Sequence, residues 1–267
     1  METRPSPRAR LRRRSSPAEI VADELRERIL SGTVPDGGEL PKLDQLIEEF
    51  GVSRATARQA CQILETEGLI QVRRGNVGGS SVRVPRPANV AYTLGQVLEA
   101  RRVTVGDVAA AVEHFEPLCA ELCAERRDRR REVLPALDTA QDDLMACIEA
   151  GDGHGASLAA RRWHEALVDR CGNDTATVLL GTLESVWGAH ARATSAELDA
   201  AGVPLSDELS RRVHAEHDEI RRLVAEGDGP GAAAAARAHL RTAQIHPTDR
   251  RDGNVVDALT IRDELLG

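Results

Sequence analysis

Arginine is the side chain best suited to reading guanine, because its planar fork can donate to O6 and N7 together, worth about 1–3 kcal/mol of discrimination. Arg54 and Arg58 stand one helical turn apart in the stretch Ser53 to Gly68, accompanied by Thr56, Gln59 and Gln62. Ala57, Ala60, Cys61 and Leu64 recur at three- and four-residue spacing in the same stretch. That pattern predicts a helix with one apolar face and the Arg, Thr and Gln side chains largely off it. Ser53 is a suitable N-cap and Gly68 a suitable stop. An ordinary surface helix has the same appearance, so its neighbours decide what it does.

Those neighbours predict a helix-turn-helix with a wing. A helix starting at Pro17 carries Val21, Leu25 and Ile29 at four-residue spacing and closes at Gly32; a second follows Pro41 with Leu43, Leu46, Ile47 and Phe50 on one face. Gly51-Val52 then gives a tight turn into the Ser53 helix, as in a helix-turn-helix. Beyond Gly68, Leu69 to Val72 and Ser80 to Val84 alternate like paired strands around Arg73 to Gly79. Arg74 and Gly75 at that tip suit a wing, where arginine neutralises phosphate and glycine lets the backbone approach DNA.

Charge is distributed accordingly. The formal net charge of −8 divides into +2 over residues 1–84 and −10 over the remainder, and residues 1–16 hold six Arg and one Glu. These first 16 residues predict a disordered basic arm, which suits double-stranded DNA. An aromatic content of 2% excludes a platform for stacking single-stranded bases. No apolar run approaches the ~20 residues of a membrane helix, and no apolar segment follows the basic N-terminus, so a cytoplasmic chain without a secretory signal is expected. Five cysteines, none in a CxxC, lie in apolar helical contexts and predict buried free thiols. No HExxH, Ser/His/Asp arrangement or Gly-rich phosphate loop occurs, so no enzyme is expected.

From Pro85 the chain changes character. Residues 85–92, with two prolines and no periodicity, predict a linker. Helices are expected near 90–101, 105–126, 130–150, 154–171, 174–198, 206–226 and 229–246, with breakers such as Gly151-Asp152-Gly153 and Gly172-Asn173 between them. A mainly α chain follows: a winged helix-turn-helix over 17–84, an all-α bundle over 93–246 and a loosely attached tail over 247–267. Of eight histidines, His164, His217 and His239 occupy three separate predicted helices, 53 and 22 residues apart. Periodicity alone makes each an ordinary surface or core histidine.

Residues 18–84 resemble the winged helix-turn-helix of GntR-family transcription regulators. The matching pieces are Leu25 to Gly32, Leu40-Pro41, Gly51-Val52-Ser53-Arg54, Arg58, Leu64-Glu65 and Glu67-Gly68-Leu69-Ile70. The resemblance implies DNA contacts from Ser53, Arg54, Thr56 and Arg58, and from the wing at Arg74 and Gly75. It departs at Asp44, where an Arg often touches DNA. The second half is similar to the FCD ligand-binding domain of the FadR subfamily, through Phe115-Glu116-Pro117, Trp163-His164, Gly172-Asn173, Glu216-His217 and His239-Leu240.

That second resemblance implies a divalent metal, Zn²⁺ or Ni²⁺, on His164, His217 and His239 at the base of an effector pocket. The fourth ligand, an Asp one turn before the first His, is Ala160 here. The Arg usual four residues before Glu116 is Val112. Trp163 and Asn173 are the foremost candidates for lining the pocket, with Arg161, Trp187 and His190 behind them. The function expected is a homodimeric, effector-responsive repressor on a palindromic operator. A constitutive regulator with a degenerate pocket and a three-His metal-dependent hydrolase are the alternatives.

Overall fold

A computed structural model describes residues 16–72, 79–243 and 254–266. The chain forms two compact units that divide between Pro85 and Arg86.

In the first unit α1 (Pro17–Leu30), α2 (Leu43–Phe50) and α3 (Arg54–Thr66) precede a hairpin of β1 (Ile70–Val72) and β2 (Ser80–Val82). Ser16 belongs to α1 and not to an N-terminal arm: its hydroxyl accepts from Glu19 N at 3.2 Å while the Glu19 carboxylate accepts from Ser16 N at 2.6 Å. This reciprocal cap satisfies two otherwise unpaired donors. Val21, Leu25 and Ile29 bury against Leu46, Ala57, Ala60 and Leu64, so the apolar stripes read from the sequence do meet. Gly51 ends α2 at φ 61°, a left-handed conformation that lets α3 begin after only two more residues. The strands pair antiparallel with Ile70 opposite Val82. Arg26 binds Glu67 through two bonds of 2.8 and 2.7 Å, and Arg28 meets Glu49 at 2.7 Å, tying α1 to the end of α3 and to α2.

The second unit is helical: α4 (Pro87–Ala100), α5 (Val105–Glu125), α6 (Arg129–Glu132), α7 (Leu134–Glu149), α8 (Gly153–Asp169), α9 (Asp174–Ala200), α10 (Asp207–Glu226), α11 (Gly229–Ala243) and α12 (Ala258–Leu266). Two sequence expectations are corrected here. Residues 85–92 are not all linker, because Pro87 opens α4 and Ala91 is buried; proline at a first helical position needs no N–H and favours the helix. The helix expected over 130–150 breaks at Val133, with proline again near the start of the second piece.

Of the tail expected over 247–267, residues 254–266 are not loose, and 247–253 lie outside the described residues. Ile261 is fully buried with Ala91, Val108, Val186 and Ala189. Val256 N donates to Val103 O at 2.9 Å and Val105 N to Asn254 O at 2.8 Å, anchoring the approach to α12. Gly95 makes the room: a Cβ there would stand 2.4 Å from Ile261 Cδ1. Ile261→Ala is therefore expected to destabilise the helical unit by about 2–5 kcal/mol, as buried Ile-to-Ala changes do. Chemical denaturation followed by circular dichroism checks this, and a loose tail would give no change.

Candidate functional site

Helix α3 presents its expected residues to solvent. Ser53 caps it, accepting from Thr56 N at 3.1 Å, and the two hydroxyls lie 2.9 Å apart. Arg54 and Arg58 are exposed and Thr56 half-buried, opposite buried Ala57, Ala60 and Leu64. Arg54 forms an ion pair with Asp44 of α2. Arg74 and Gly75, expected at the wing tip, lie outside the described residues.

In the helical unit, His164 (α8), His217 (α10) and His239 (α11) converge. Their Nε2 atoms form a triangle with sides of 3.3, 3.1 and 3.2 Å. The outer nitrogens fix two of the tautomers. His164 Nδ1 donates to Glu116 Oε1 at 2.6 Å, and His239 Nδ1 donates to Glu216 Oε2 at 2.7 Å. Their Nε2 atoms are then lone pairs aimed at each other and at His217. The His217 ring stacks on Trp163 at 4.1 Å, and its Nδ1 has no hydrogen-bond partner among the described residues.

Burial keeps the imidazoles neutral. It pushes His164 and His239 down to about 4, with His164 adding to the effect on His239. Burial first, and then the two neighbouring imidazoles, hold His217 well below its ordinary value. Neutral imidazole is the form that binds metal. A tetrahedral ion with metal–nitrogen bonds of about 2.0–2.1 Å needs nitrogens about 3.3–3.4 Å apart, within about 0.2 Å of this triangle. The three histidines fit a divalent ion, with carboxylates behind two of them as metal-bound histidines commonly have.

A cavity of about 290 Å³ adjoins the triangle and reaches His164, His239, Ala160, Arg161 and Trp187. Leu144, Leu205, Leu209 and Val213 contribute apolar lining. Ala160 lies on the cavity wall, so the side chain one turn before His164 contributes no ligand atom. Arg161 supplies a cation that Val112, itself buried, cannot. The Arg161 guanidinium lies 4.0 Å over the Trp187 ring and 3.1 Å from Glu184 Oε2. Gly188 leaves space for it, since a Cβ there would stand 2.8 Å from Arg161 Nη2. Burial raises Glu116 to about 7 and Glu184 to about 8, with the charge of Glu116 adding to the rise at Glu184.

Trp163 and Asn173 do not line this cavity. Trp163 is fully buried in the core with Leu137, Leu167 and Ile220 and meets the site by stacking on His217 and by an edge-on contact with His164 at 5.5 Å. Asn173 caps α9, its side chain accepting from Ala176 N at 3.1 Å. His190 bonds Val186 O and Asp257 N, both at 2.9 Å. Glu184 and the carboxylate contacts of Glu116 and Glu216 went unread, since isolated acids on predicted helices carry no periodic signal.

A helix-turn-helix with a β-hairpin, in the same chain as a separate helical unit, is the architecture of a DNA-binding transcription regulator. Comparison with known proteins places it more closely. Residues 17–78 match the family described as bacterial regulatory proteins, gntR family, and residues 107–242 match the FCD domain. The chain belongs to the GntR family of bacterial regulators and carries an FCD domain. It is 28% identical over 214 residues to the HTH-type transcriptional regulator LutR of Bacillus subtilis, covering 79% of this chain and 92% of that protein. It is 29% identical over 231 residues to the uncharacterized regulator Rv0494 of Mycobacterium tuberculosis, covering 85% and 88%. A solved Streptococcus agalactiae GntR structure aligns with a TM-score of 0.62 at 25% identity, over 84% of this chain and 97% of that one. These domains and relatives are regulators and not enzymes, which removes the hydrolase alternative. Among the described residues no helix is long and apolar enough to cross a membrane.

Proposed function

We propose that this protein is an effector-responsive repressor that binds a palindromic operator as a homodimer and senses its effector beside a divalent metal, Zn²⁺ or Ni²⁺, held by His164, His217 and His239. The observation that carries this reading is the triangle of three Nε2 atoms, 3.1–3.3 Å on a side, two of whose histidines, His164 and His239, line a cavity large enough for a small molecule. The ion would supply positive charge beside the cavity. Around it, His164 and His239 are oriented by Glu116 and Glu216, Arg161 offers a second cation, and Leu144, Leu205, Leu209 and Val213 supply apolar lining. Arg161 and the cavity favour this reading over a constitutive regulator with a degenerate pocket.

The response is geometric. Two recognition helices must enter successive major grooves about 34 Å apart. An effector changes that fit only by binding one arrangement of the dimer better than the other. Operator binding by purified protein, with sites first selected from random duplex DNA and then titrated with candidate effectors, tests the function. Operator affinity indifferent to every ligand that binds the cavity would instead leave the constitutive reading.

Exposed Phe115 and Leu118 on α5, with exposed Val178 and Leu179 on α9, support self-association through the helical unit. These two helices pack against each other. Leu118→Glu combined with Leu179→Glu is expected to give a folded monomer by light scattering and to weaken operator binding on the order of 100-fold, because the second half-site is lost and with it the effective-concentration gain of a linked contact. A double variant that stays dimeric would move the interface elsewhere.

A further inference from the structure

The ion pair between Asp44 and Arg54 joins the starts of the two helices of the helix-turn-helix. Asp44 is the second residue of α2 and Arg54 the first of α3. The side chains are 79% and 58% exposed, so the pair does little for stability. Arg26–Glu67 and Arg28–Glu49 already brace this unit. Its consequence lies at the surface that meets DNA.

Helix starts carry unpaired N–H groups and partial positive charge, which favour anions and disfavour cations. Asp44 is thus well placed at its own helix start, and it offsets the unfavourable position of Arg54 at the next. A carboxylate there also takes a place where a phosphate would otherwise bind, since helix starts are ready anion sites. The second arginine is different: Arg58 has no ion pair among the described residues. One arginine of α3 is therefore held, and the other has no ion pair among the described residues.

Resting on the DNA-reading function proposed above, we infer that Asp44 is a specificity-determining positioning residue, holding the Arg54 fork for a guanine edge and excluding phosphate from the start of α2. A fork held through one edge keeps its remaining donors for O6 and N7 and loses less freedom on binding. The carboxylate also lowers affinity for any sequence, because it opposes the phosphate charge that dominates non-specific binding.

The test selects binding sites from random duplex DNA with the full chain and with Asp44→Ala, Asp44→Asn, Arg54→Ala and the double variant Asp44→Ala/Arg54→Ala. The position whose preference disappears in Arg54→Ala is the one Arg54 reads. Asp44→Ala should flatten preference at that position by about tenfold, within the range one bidentate contact provides. It should also tighten random-sequence binding about 3–10-fold at low salt, through the removed negative charge. Asp44→Asn, which keeps one acceptor, should retain part of the preference. In the Arg54→Ala background, removing Asp44 should tighten random-sequence binding and change no base preference. Tighter random binding with the preference intact would make Asp44 a plain charge and overturn the inference, as would a loss of preference in Asp44→Ala confined to positions that Arg54 does not read. A parent chain that enriches no sequence would remove the DNA-reading function itself. Unaltered thermal melting of the Asp44 variants separates these outcomes from misfolding.

Discussion

Zinc added to metal-free protein at a hundred times its dissociation constant raises the stability of the helical unit by about 2.7 kcal/mol, a shift of about 5–10 °C in melting temperature for a unit of this size; in His217→Ala the shift disappears. The expectation follows from the triangle of imidazole nitrogens. With His164 and His239 donating outward to Glu116 and Glu216, two Nε2 lone pairs face inward 3.2 Å apart. His217 can bring at most one proton to the centre while neutral, so at least one edge sets lone pair against lone pair. A cation removes that repulsion. The unfolded chain has no preformed site, so binding energy becomes folding energy.

His217 is the decisive variant, since its Nε2 lies within 3.3 Å of both partners. Ala160→Asp should tighten the metal on the order of tenfold or more, because it would add a charged ligand one turn from His164 where outer partners alone account for 10–100-fold. Differential scanning calorimetry with zinc, nickel and no metal reads all three proteins. The absence of any shift in the parent chain at micromolar metal would eliminate the metal site while leaving the DNA-binding function standing.

Replacing Arg54 and Arg58 together by alanine is the other large effect. Each bidentate arginine contact with guanine contributes about 1–3 kcal/mol of discrimination, so the double variant should bind the operator about 30- to 20,000-fold more weakly. The variant should fold normally: both side chains are exposed, and α3 is held by Ala57, Ala60 and Leu64 beneath them. A gel-shift titration on a selected operator gives the fold-change, and circular dichroism confirms the helix. If Ser53→Ala were compared, the loss would show mainly in stability, about 0.5–2 kcal/mol, because its hydroxyl is engaged in capping α3. Unchanged operator affinity in the arginine double variant would remove α3 as the reading helix.

Much of the first unit was legible because its signals are local. Ser53, Gly51 and Gly68 mark helix ends through their own backbone preferences, and the stripes Val21-Leu25-Ile29 and Ala57-Ala60-Leu64 announce buried faces within a few turns of chain. The long helices of the second unit were legible in the same way. The misses fell where a signal was short or ambiguous. Pro87 could break a helix or begin one, and it begins one. Ile261 lies on a helix of only nine residues, too short for periodicity to announce a buried face. Trp163 adjoins His164 in sequence, yet successive residues of a helix point about 100° apart, so one reaches the core and the other the cavity.

The sequence by itself determined most of the long helices, the Ser53 cap, the paired strands and the arginine-bearing face of α3, since each depends on residues within about one or two turns of one another. The three histidines stood out from it only through resemblance, because residues 53 and 22 positions apart carry no mutual signal along the chain. Tertiary packing alone decided that their Nε2 atoms meet, that Glu116 and Glu216 orient two of them, and that Arg161 enters a cavity where Val112 cannot serve. The same holds for Asp44 and Arg54, ten residues apart on different helices. Side-chain convergence from separate elements is fixed by how their apolar faces pack, and that is a property of the assembled fold.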